Sequence, residues 1–253
     1  MRNGGLQVRE LAAWGFDASP YRPCADGEMA RRRLEGRAAF VGMECLVAGE
    51  EFAERFAEQA LRGDLLAEME GLEWGLGVVD LRGLIAFQRR VVFDPACPRD
   101  AVPDDVFGVA FGAPVPLVYT RRHGAGGEVL IETANPNLQL RGMELHGGSP
   151  FFEVGSYRGR WFLRDGYHRA YALLRAGIVQ VPAVVVRART LKELGPVGEW
   201  FFAEEILFGE RPPMVVDFLD DELTIEYTRP RLLKTIRIRV EESFAPMVEM
   251  ANE

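Results

Sequence analysis

The chain has 253 residues, of which 48% are hydrophobic and 27% charged, an ordinary balance for a folded globular protein. This length suffices for one large domain or two small ones with buried cores. The 38 acidic residues outnumber the 30 basic ones, and the formal net charge is −8. Such an acidic balance counts against a protein that holds DNA mainly through its phosphates.

The cysteines and histidines are few and widely separated. Cys24, Cys45 and Cys97 form no C-x-x-C motif, so we assign no metal ligands and expect a reducing compartment. No apolar segment follows Met1, and the longest uncharged apolar run, residues 106–119, is short and interrupted by Gly and Pro. We therefore expect a cytoplasmic protein with no secretory signal and no membrane partner.

The first part of the chain shows mainly helical patterning. Residues 1–26 have no sustained period and are predicted to be irregular. Between residues 50 and 69, Phe52 and Phe56 recur at helical spacing among charged residues, which predicts amphipathic helix packed on the core. We expect residues 1–74 to form a mostly helical N-terminal extension.

Short apolar runs follow from about residue 75. Residues 78–81 read as an entry strand or a turn, and residues 84–88 lead into the apolar run 91–93. Residues 129–131 read as a short strand, and residues 108–120 as one or two strands interrupted by prolines. The loop 132–138 carries three small polar residues, Thr133, Asn135 and Asn137. A polar loop after a strand is a usual place both for ligand contacts and for plain turns.

Residues 159–187 predict a strand, a tight turn, a short helix and a second strand. Arg160–Arg164 contains three bulky apolar residues, and Asp165-Gly166 is a turn signal. Residues 167–176 are rich in Ala and Leu and end before a glycine, as a helix does. The run Val181–Val186 is almost wholly apolar, so this strand is predicted to be buried on both faces.

Polar residues gather where the first of these strands meets the helix. Free backbone N–H groups and the helix dipole favour an anion at a helix N-terminus, and His168 and Arg169 add side-chain donors. The pattern suits a phosphate. It also fits a turn in which Asp165 only caps the helix and both basic residues face solvent.

The last part of the chain reads as a helix followed by strands. Residues 191–207 predict a helix, and residues 215–219 and 223–227 predict strands. Residues 232–240 alternate apolar and basic side chains at period two, which is typical of a strand with one solvated face. Its Lys234, Arg237 and Arg239 fit an edge strand better than a nucleic-acid stripe.

The run Asp165-Gly166-Tyr167-His168-Arg169, followed by Ala172, Gly177 and Val181-Pro182, resembles the signature of the ParB/sulfiredoxin-like superfamily. The resemblance implies an α+β fold in which residues 75–190 form a core with a mixed sheet and short helices. Residues 191–253 would be a C-terminal extension of helix and strands. The resemblance also implies that this turn holds nucleotide phosphates. In related folds the first strands bring polar residues toward the nucleotide, which makes Asp80, Gln88 and Arg89 candidates here.

Two departures from the family pattern reduce the number of superfamily branches that the turn resembles. Sulfiredoxins carry their catalytic Cys at the position of Tyr167, and a tyrosine cannot replace that thiolate nucleophile. Partitioning ParB proteins carry a Gly-Glu-Arg-Arg turn instead. The turn is most similar to the Asp-Gly-His-His-Arg turn of the free-serine kinases.

The resemblance thus implies a nucleotide-binding protein, a small-molecule kinase or a nucleotide hydrolase using ATP, ADP or CTP with Mg²⁺ and an unknown small-molecule acceptor. Asp165 and His168 are the candidate catalytic residues. Phosphate-binding roles fall to Gly166, Tyr167, His168, Arg169, Asn137 and Gln88. The general base stays open among Asp80, Glu132 and Glu153. The alternatives are a non-catalytic binding module for a ligand or partner, and a DNA-binding or ParB-like nuclease protein, which the acidic charge disfavours.

Overall fold

A computed structural model describes residues 5–16, 19–23, 27–93, 105–112, 117–123, 128–135, 137–141, 144–195 and 201–239. The fold is α+β, with several sheets and short helices. In these ranges the α-helices are α1 (Glu28–Glu35), α2 (Ala53–Gln59), α3 (Gly63–Glu68), α4 (Val106–Ala110), α5 (Tyr167–Arg175), α6 (Leu191–Leu194) and α7 (Glu204–Leu207). The described ranges also contain the 3₁₀ helices Glu50–Phe52, Leu81–Gly83 and Val215–Leu219.

The strands of the described ranges are short. They are β1 (Leu6–Leu11), β2 (Leu46–Val47), β3 (Trp74–Asp80), β4 (Ile85–Ala86), β5 (Arg90–Phe93), β6 (Thr120–His123), β7 (Val129–Thr133), β8 (Gln139–Arg141), β9 (Glu144–His146), β10 (Glu153–Tyr157), β11 (Arg160–Asp165), β12 (Gln180–Arg187), β13 (Thr224–Arg229) and β14 (Lys234–Ile238). No helix among the described residues combines the length and apolar character needed to cross a bilayer.

The chain divides into two compact units. The first comprises Met1–Pro114 with Ser149–Pro230, and the second comprises Val115–Gly148 with Arg231–Glu253. The three predicted segments, 1–74, 75–190 and 191–253, stay a prediction, because each compact unit draws on more than one of them.

A mixed six-stranded sheet, in the order β2-β3-β12-β10-β11-β4, forms the centre of the first unit. β10 and β11 make an antiparallel hairpin, while β12 runs parallel to β10 and antiparallel to β3. All six residues of Val181–Val186 in β12 are buried, so the predicted two-sided burial is confirmed. Because α5 joins β11 to β12, the polar turn at its start lies at an end of this sheet.

A second sheet of the first unit corrects the prediction for the N-terminus. Residues 1–26 were expected to be irregular, but β1 is the middle strand of a three-stranded sheet, between β13 and β5. The sequence of β1 does not alternate between apolar and polar residues, because the charged Arg9 and Glu10 are buried as well as Val8 and Leu11. Arg9 forms ion pairs with Asp221 and Glu226, so a charged residue occupies a position that sequence patterning assigns to solvent.

Three other predicted elements have a different form. Residues 108–120 were predicted as one or two strands, but α4 covers their beginning. This helix begins there because the Asp105 side chain accepts a hydrogen bond from the Phe107 N–H and caps it. Residues 215–219 are a 3₁₀ helix rather than a strand. The helix predicted over 191–207 is replaced by α6 and α7, since Gly195 has φ +88° and ends α6. Residues 196–200 lie outside the described ranges.

The second unit contains a three-stranded antiparallel sheet in the order β14-β7-β6. The strands predicted around residues 129–131 and 232–240 are confirmed as β7 and β14. β14 lies at an edge of this sheet, which agrees with its predicted role as an edge strand. Arg237 of β14 and Arg239 just after it both form ion pairs with Glu128.

Candidate functional site

The predicted strand-to-helix turn is confirmed by the backbone geometry. β11 ends at Asp165, Gly166 has φ +102°, and α5 begins at Tyr167. A Cβ atom at Gly166 would lie 2.7 Å from a ring carbon of Phe152. The left-handed conformation and the close approach of this ring both require glycine at this position.

Arg169 fixes the turn to neighbouring backbone. Its Nη1 donates to the carbonyl oxygens of Pro150 at 2.5 Å and Val109 at 3.2 Å. Its Nη2 donates to the carbonyl oxygen of Phe151 at 2.6 Å and to Oδ1 of Asp165 at 3.2 Å. The guanidinium therefore connects α5 to the end of α4 and to residues 150–151, and both terminal nitrogens are engaged within the fold.

Tyr167, the residue at the sulfiredoxin cysteine position, is a buried structural tyrosine. Its hydroxyl donates to the carbonyl oxygen of Leu163 at 2.7 Å and accepts from the N–H of Phe87 at 2.6 Å. The N–H of Gln88 lies 3.4 Å from the same oxygen, so the backbone of this candidate residue adjoins the turn. Burial raises the pKa of the Tyr167 hydroxyl well above its ordinary value, and it stays protonated at neutral pH.

His168 connects the start of α5 to an edge strand. Its Nε2 accepts a hydrogen bond of 3.0 Å from the N–H of Val92 on β5, and its ring meets that of Phe93 edge-on. A nitrogen that accepts must carry a lone pair, so we assign the neutral tautomer with its proton on Nδ1. The pKa of His168 is lowered, first by partial loss of solvation and then by the charge of Arg169, although the residue is exposed.

A second carboxylate lies beside Asp165. Glu153 on β10 pairs with Asp165 on β11 at a β-bulge, and Arg164 contacts Glu153 at 3.0 Å. Glu153 is buried and Asp165 is partly exposed. Loss of solvation and then the charge of Glu153 raise the pKa of Asp165 to about 6, against the opposing effects of Arg169 and the Gly166 N–H. Since 43% of the Asp165 side chain stays exposed, solvent screens part of this shift.

Other predicted site residues make contacts elsewhere. Asp80 is buried and bonded to the Arg82 side chain, which is the first cause of its lowered pKa. Asn137 belongs to the second unit, where its N–H donates to Oδ1 of Asn135 at 2.9 Å. Glu132 also belongs to the second unit and pairs with Arg122.

The predicted residues that the fold brings together are therefore Asp165, Gly166, Tyr167, His168, Arg169 and the backbone of Gln88, with Glu153 beside them. Sequence reasoning missed the Val92 N–H and the carbonyl oxygens of Val109, Pro150 and Phe151. Every residue carries such backbone groups, so no sequence signal marks them. Within the described part of the chain, no group of three or more His, Cys, Asp or Glu residues is arranged to hold a metal ion.

Comparison with known proteins gives no match: no protein-family model fits the chain, and no curated protein or solved structure is similar to it. The resemblance of residues 165–169 to the ParB/sulfiredoxin-like signature therefore stays a prediction.

Proposed function

We propose that the turn formed by residues 165–169 binds a phosphate group of a nucleotide, as the resemblance to ParB/sulfiredoxin-like proteins implies. The observation that supports this best is the hydrogen bond from the Val92 N–H to Nε2 of His168. It leaves Nδ1–H of an exposed imidazole as a donor in the first turn of α5. An imidazole donor beside backbone N–H groups of a helix start is a suitable combination for a phosphate oxygen.

Arg169 supports an anion in a different way from the one expected. Both terminal nitrogens of Arg169 bond to carbonyl oxygens and to Asp165, so we propose that it acts on the phosphate as a positive charge held beside the turn rather than as a direct donor. A charge held in place still attracts an anion across several ångströms of partly desolvated protein. The Asp165 carboxylate opposes the anion when ionised, and its raised pKa weakens this opposition below about pH 6.

The nucleotides that we propose are ATP, ADP or CTP with Mg²⁺, together with a small-molecule acceptor. In this function the Gly166 backbone and His168 would bind the phosphate, and Arg169 would orient the turn. A bound nucleotide would supply a transferable phosphoryl group, for which a positioned positive charge and a proton acceptor are needed. Asp165, with its pKa near neutrality, is the group in this turn best suited to hold or release a proton.

Calorimetric titration with ATP, ADP and CTP, with and without Mg²⁺, tests the binding site. We expect one of these nucleotides to bind, and His168→Ala to weaken its affinity about 10- to 100-fold, the effect of losing a hydrogen bond to a charged group. Arg175→Gln is the matched control, because it removes a positive charge at the other end of α5, about 10 Å away. Equal affinities in wild type and His168→Ala would overturn the assignment.

A second candidate is a non-catalytic binding module. It is favoured by the contacts of Arg169 and Tyr167, whose polar groups hold the turn together and are thereby occupied. This function predicts tight nucleotide binding without turnover. Incubation of the protein with the bound nucleotide and Mg²⁺, followed by chromatography of the nucleotide, tests this candidate: hydrolysis above a protein-free blank supports catalysis and overturns the non-catalytic module.

A further inference from the structure

The imidazole of His168 forms a connection between two elements of the first unit. It reaches from α5 to β5, an edge strand of the sheet β13-β1-β5, and accepts the N–H of Val92 at 3.0 Å. The aromatic ring of Phe93 on β5 adds to this contact, because it packs against both His168 and Tyr171 of α5.

The geometry of the strand pair shows why this hydrogen bond matters. Among the described strands, β5 pairs with β1 alone in its sheet, with Arg9 opposite Val91 and Gln7 opposite Phe93. Because N–H groups alternate in direction along an antiparallel strand, those of Val91 and Phe93 point toward β1, whereas that of Val92 points away from it. His168 thus accepts the N–H that the edge of this sheet presents outward.

We propose that His168 is a pH-sensitive connection between α5 and β5, closed while the imidazole is neutral and opened by protonation. A protonated imidazole has N–H donors at both nitrogens and no lone pair, so Nε2 can no longer accept from Val92. Protonation would turn this contact into two opposed donors and place a second positive charge beside Arg169. This inference concerns the apo protein and does not depend on nucleotide binding.

Charged groups lie on α5 and on the elements that pack against it. On α5 the neighbouring charge is Arg169, which disfavours the protonated ring. Asp165, at the end of β11, titrates near pH 6. Arg90 on β5 contacts Glu10. Asp217, in the 3₁₀ helix that packs on α5, is paired with Arg37. Asp165 is the group whose titration could be mistaken for that of His168. The experiment therefore needs a variant that removes it.

Amide hydrogen exchange followed by NMR between pH 4.5 and 8, corrected for intrinsic rates, tests the proposal. In the wild type we expect the protection of Val92 to fall below the lowered pKa of His168 by about tenfold per pH unit, while Val91 and Phe93 stay protected. His168→Gln places an amide oxygen near the position of Nε2 and does not titrate, so the fall in Val92 protection at low pH should be absent in this variant. Asp165→Asn should still show this fall.

The proposal is overturned if Val92 loses protection in parallel with Val91 and Phe93. It is also overturned if the fall in Val92 protection persists in His168→Gln. The same holds if this fall is absent in Asp165→Asn while the His168 ring still titrates. Should His168→Gln fail to fold, the wild type decides alone. The Val92 N–H chemical shift and the His168 ring proton must then titrate with one midpoint below about 6.5, and two different midpoints contradict the proposal.

Discussion

Two arginines of the first compact unit and two of the second make opposite kinds of contact. In the first unit, Arg169 and Arg160 donate to backbone carbonyl oxygens, those of residues 109, 150 and 151 and those of residues 207–209, respectively. In the second unit, Arg237 and Arg239 pair with Glu128 through side chains that are 60% and 70% exposed. The charge pattern of a sequence does not separate these uses. What separates them is whether the guanidinium replaces water at buried carbonyls or remains in water.

Removal of the Arg169 guanidinium is expected to have the largest effect. Arg169→Met keeps much of the apolar stem but leaves the carbonyls of Val109, Pro150 and Phe151 without this donor, which should cost about 3 kcal/mol of unfolding free energy. Urea denaturation measures it. Arg175→Met on the same helix is the control, with an expected change below about 0.5 kcal/mol. Similar losses in both variants would show that the carbonyl contacts do not distinguish Arg169.

Tyr167→Phe is expected to have the next largest effect. It removes the hydroxyl that joins the Phe87 N–H to the Leu163 carbonyl oxygen inside the first unit. A buried donor and acceptor left without this partner should cost about 2 kcal/mol. The same denaturation experiment measures it, and Tyr21→Phe at a 38% exposed position is the control. A near-neutral Tyr167→Phe would mean that this hydroxyl contributes no net stability.

The pH dependence of stability separates Asp165 from His168. Asp165 has its pKa raised in the folded state to about 6, so its stabilising contribution is full below its ordinary pKa and is lost as pH rises toward 6. His168 has its pKa lowered, so its contribution is full above about 6.5 and is lost as pH falls through the folded-state pKa. Asp165→Asn should therefore make stability fall less, or rise more, between about pH 4 and 6. An unchanged profile would contradict the raised pKa.

The smallest effect is expected in the second unit. Arg237→Gln removes one of two arginines at Glu128, and exposed ion pairs contribute less than about 1 kcal/mol. We expect a change of about 0.3 kcal/mol at low salt that disappears near 1 M salt, because ions screen exposed charges. Hydrogen exchange at the Ile131 amide on β7 gives a local readout. A salt-independent loss above about 1 kcal/mol would place Arg237 in the same class as Arg169.

The sequence predicted much of the chain around the site because local preferences agree there. Leu and Ala favour α5, Gly166 permits the left-handed turn, and the apolar run of β12 favours a strand buried on both faces. The sequence did not predict β1, in which the buried Arg9 and Glu10 bond to Glu226 and Tyr227, each 217 residues away. A local pattern cannot contain partners that distant.

By itself, then, the sequence determined the α+β class, the strand–turn–helix–strand unit and the polar composition of residues 165–169. Only the tertiary structure decided what those polar groups do. Arg169 bonds to carbonyl oxygens that adjoin it through folding. The Tyr167 hydroxyl accepts from the Phe87 N–H, 80 residues earlier, and His168 accepts from the edge of another sheet. The physical reason is that backbone N–H and C=O groups are the same in every residue, and only the fold determines which of them a side chain reaches.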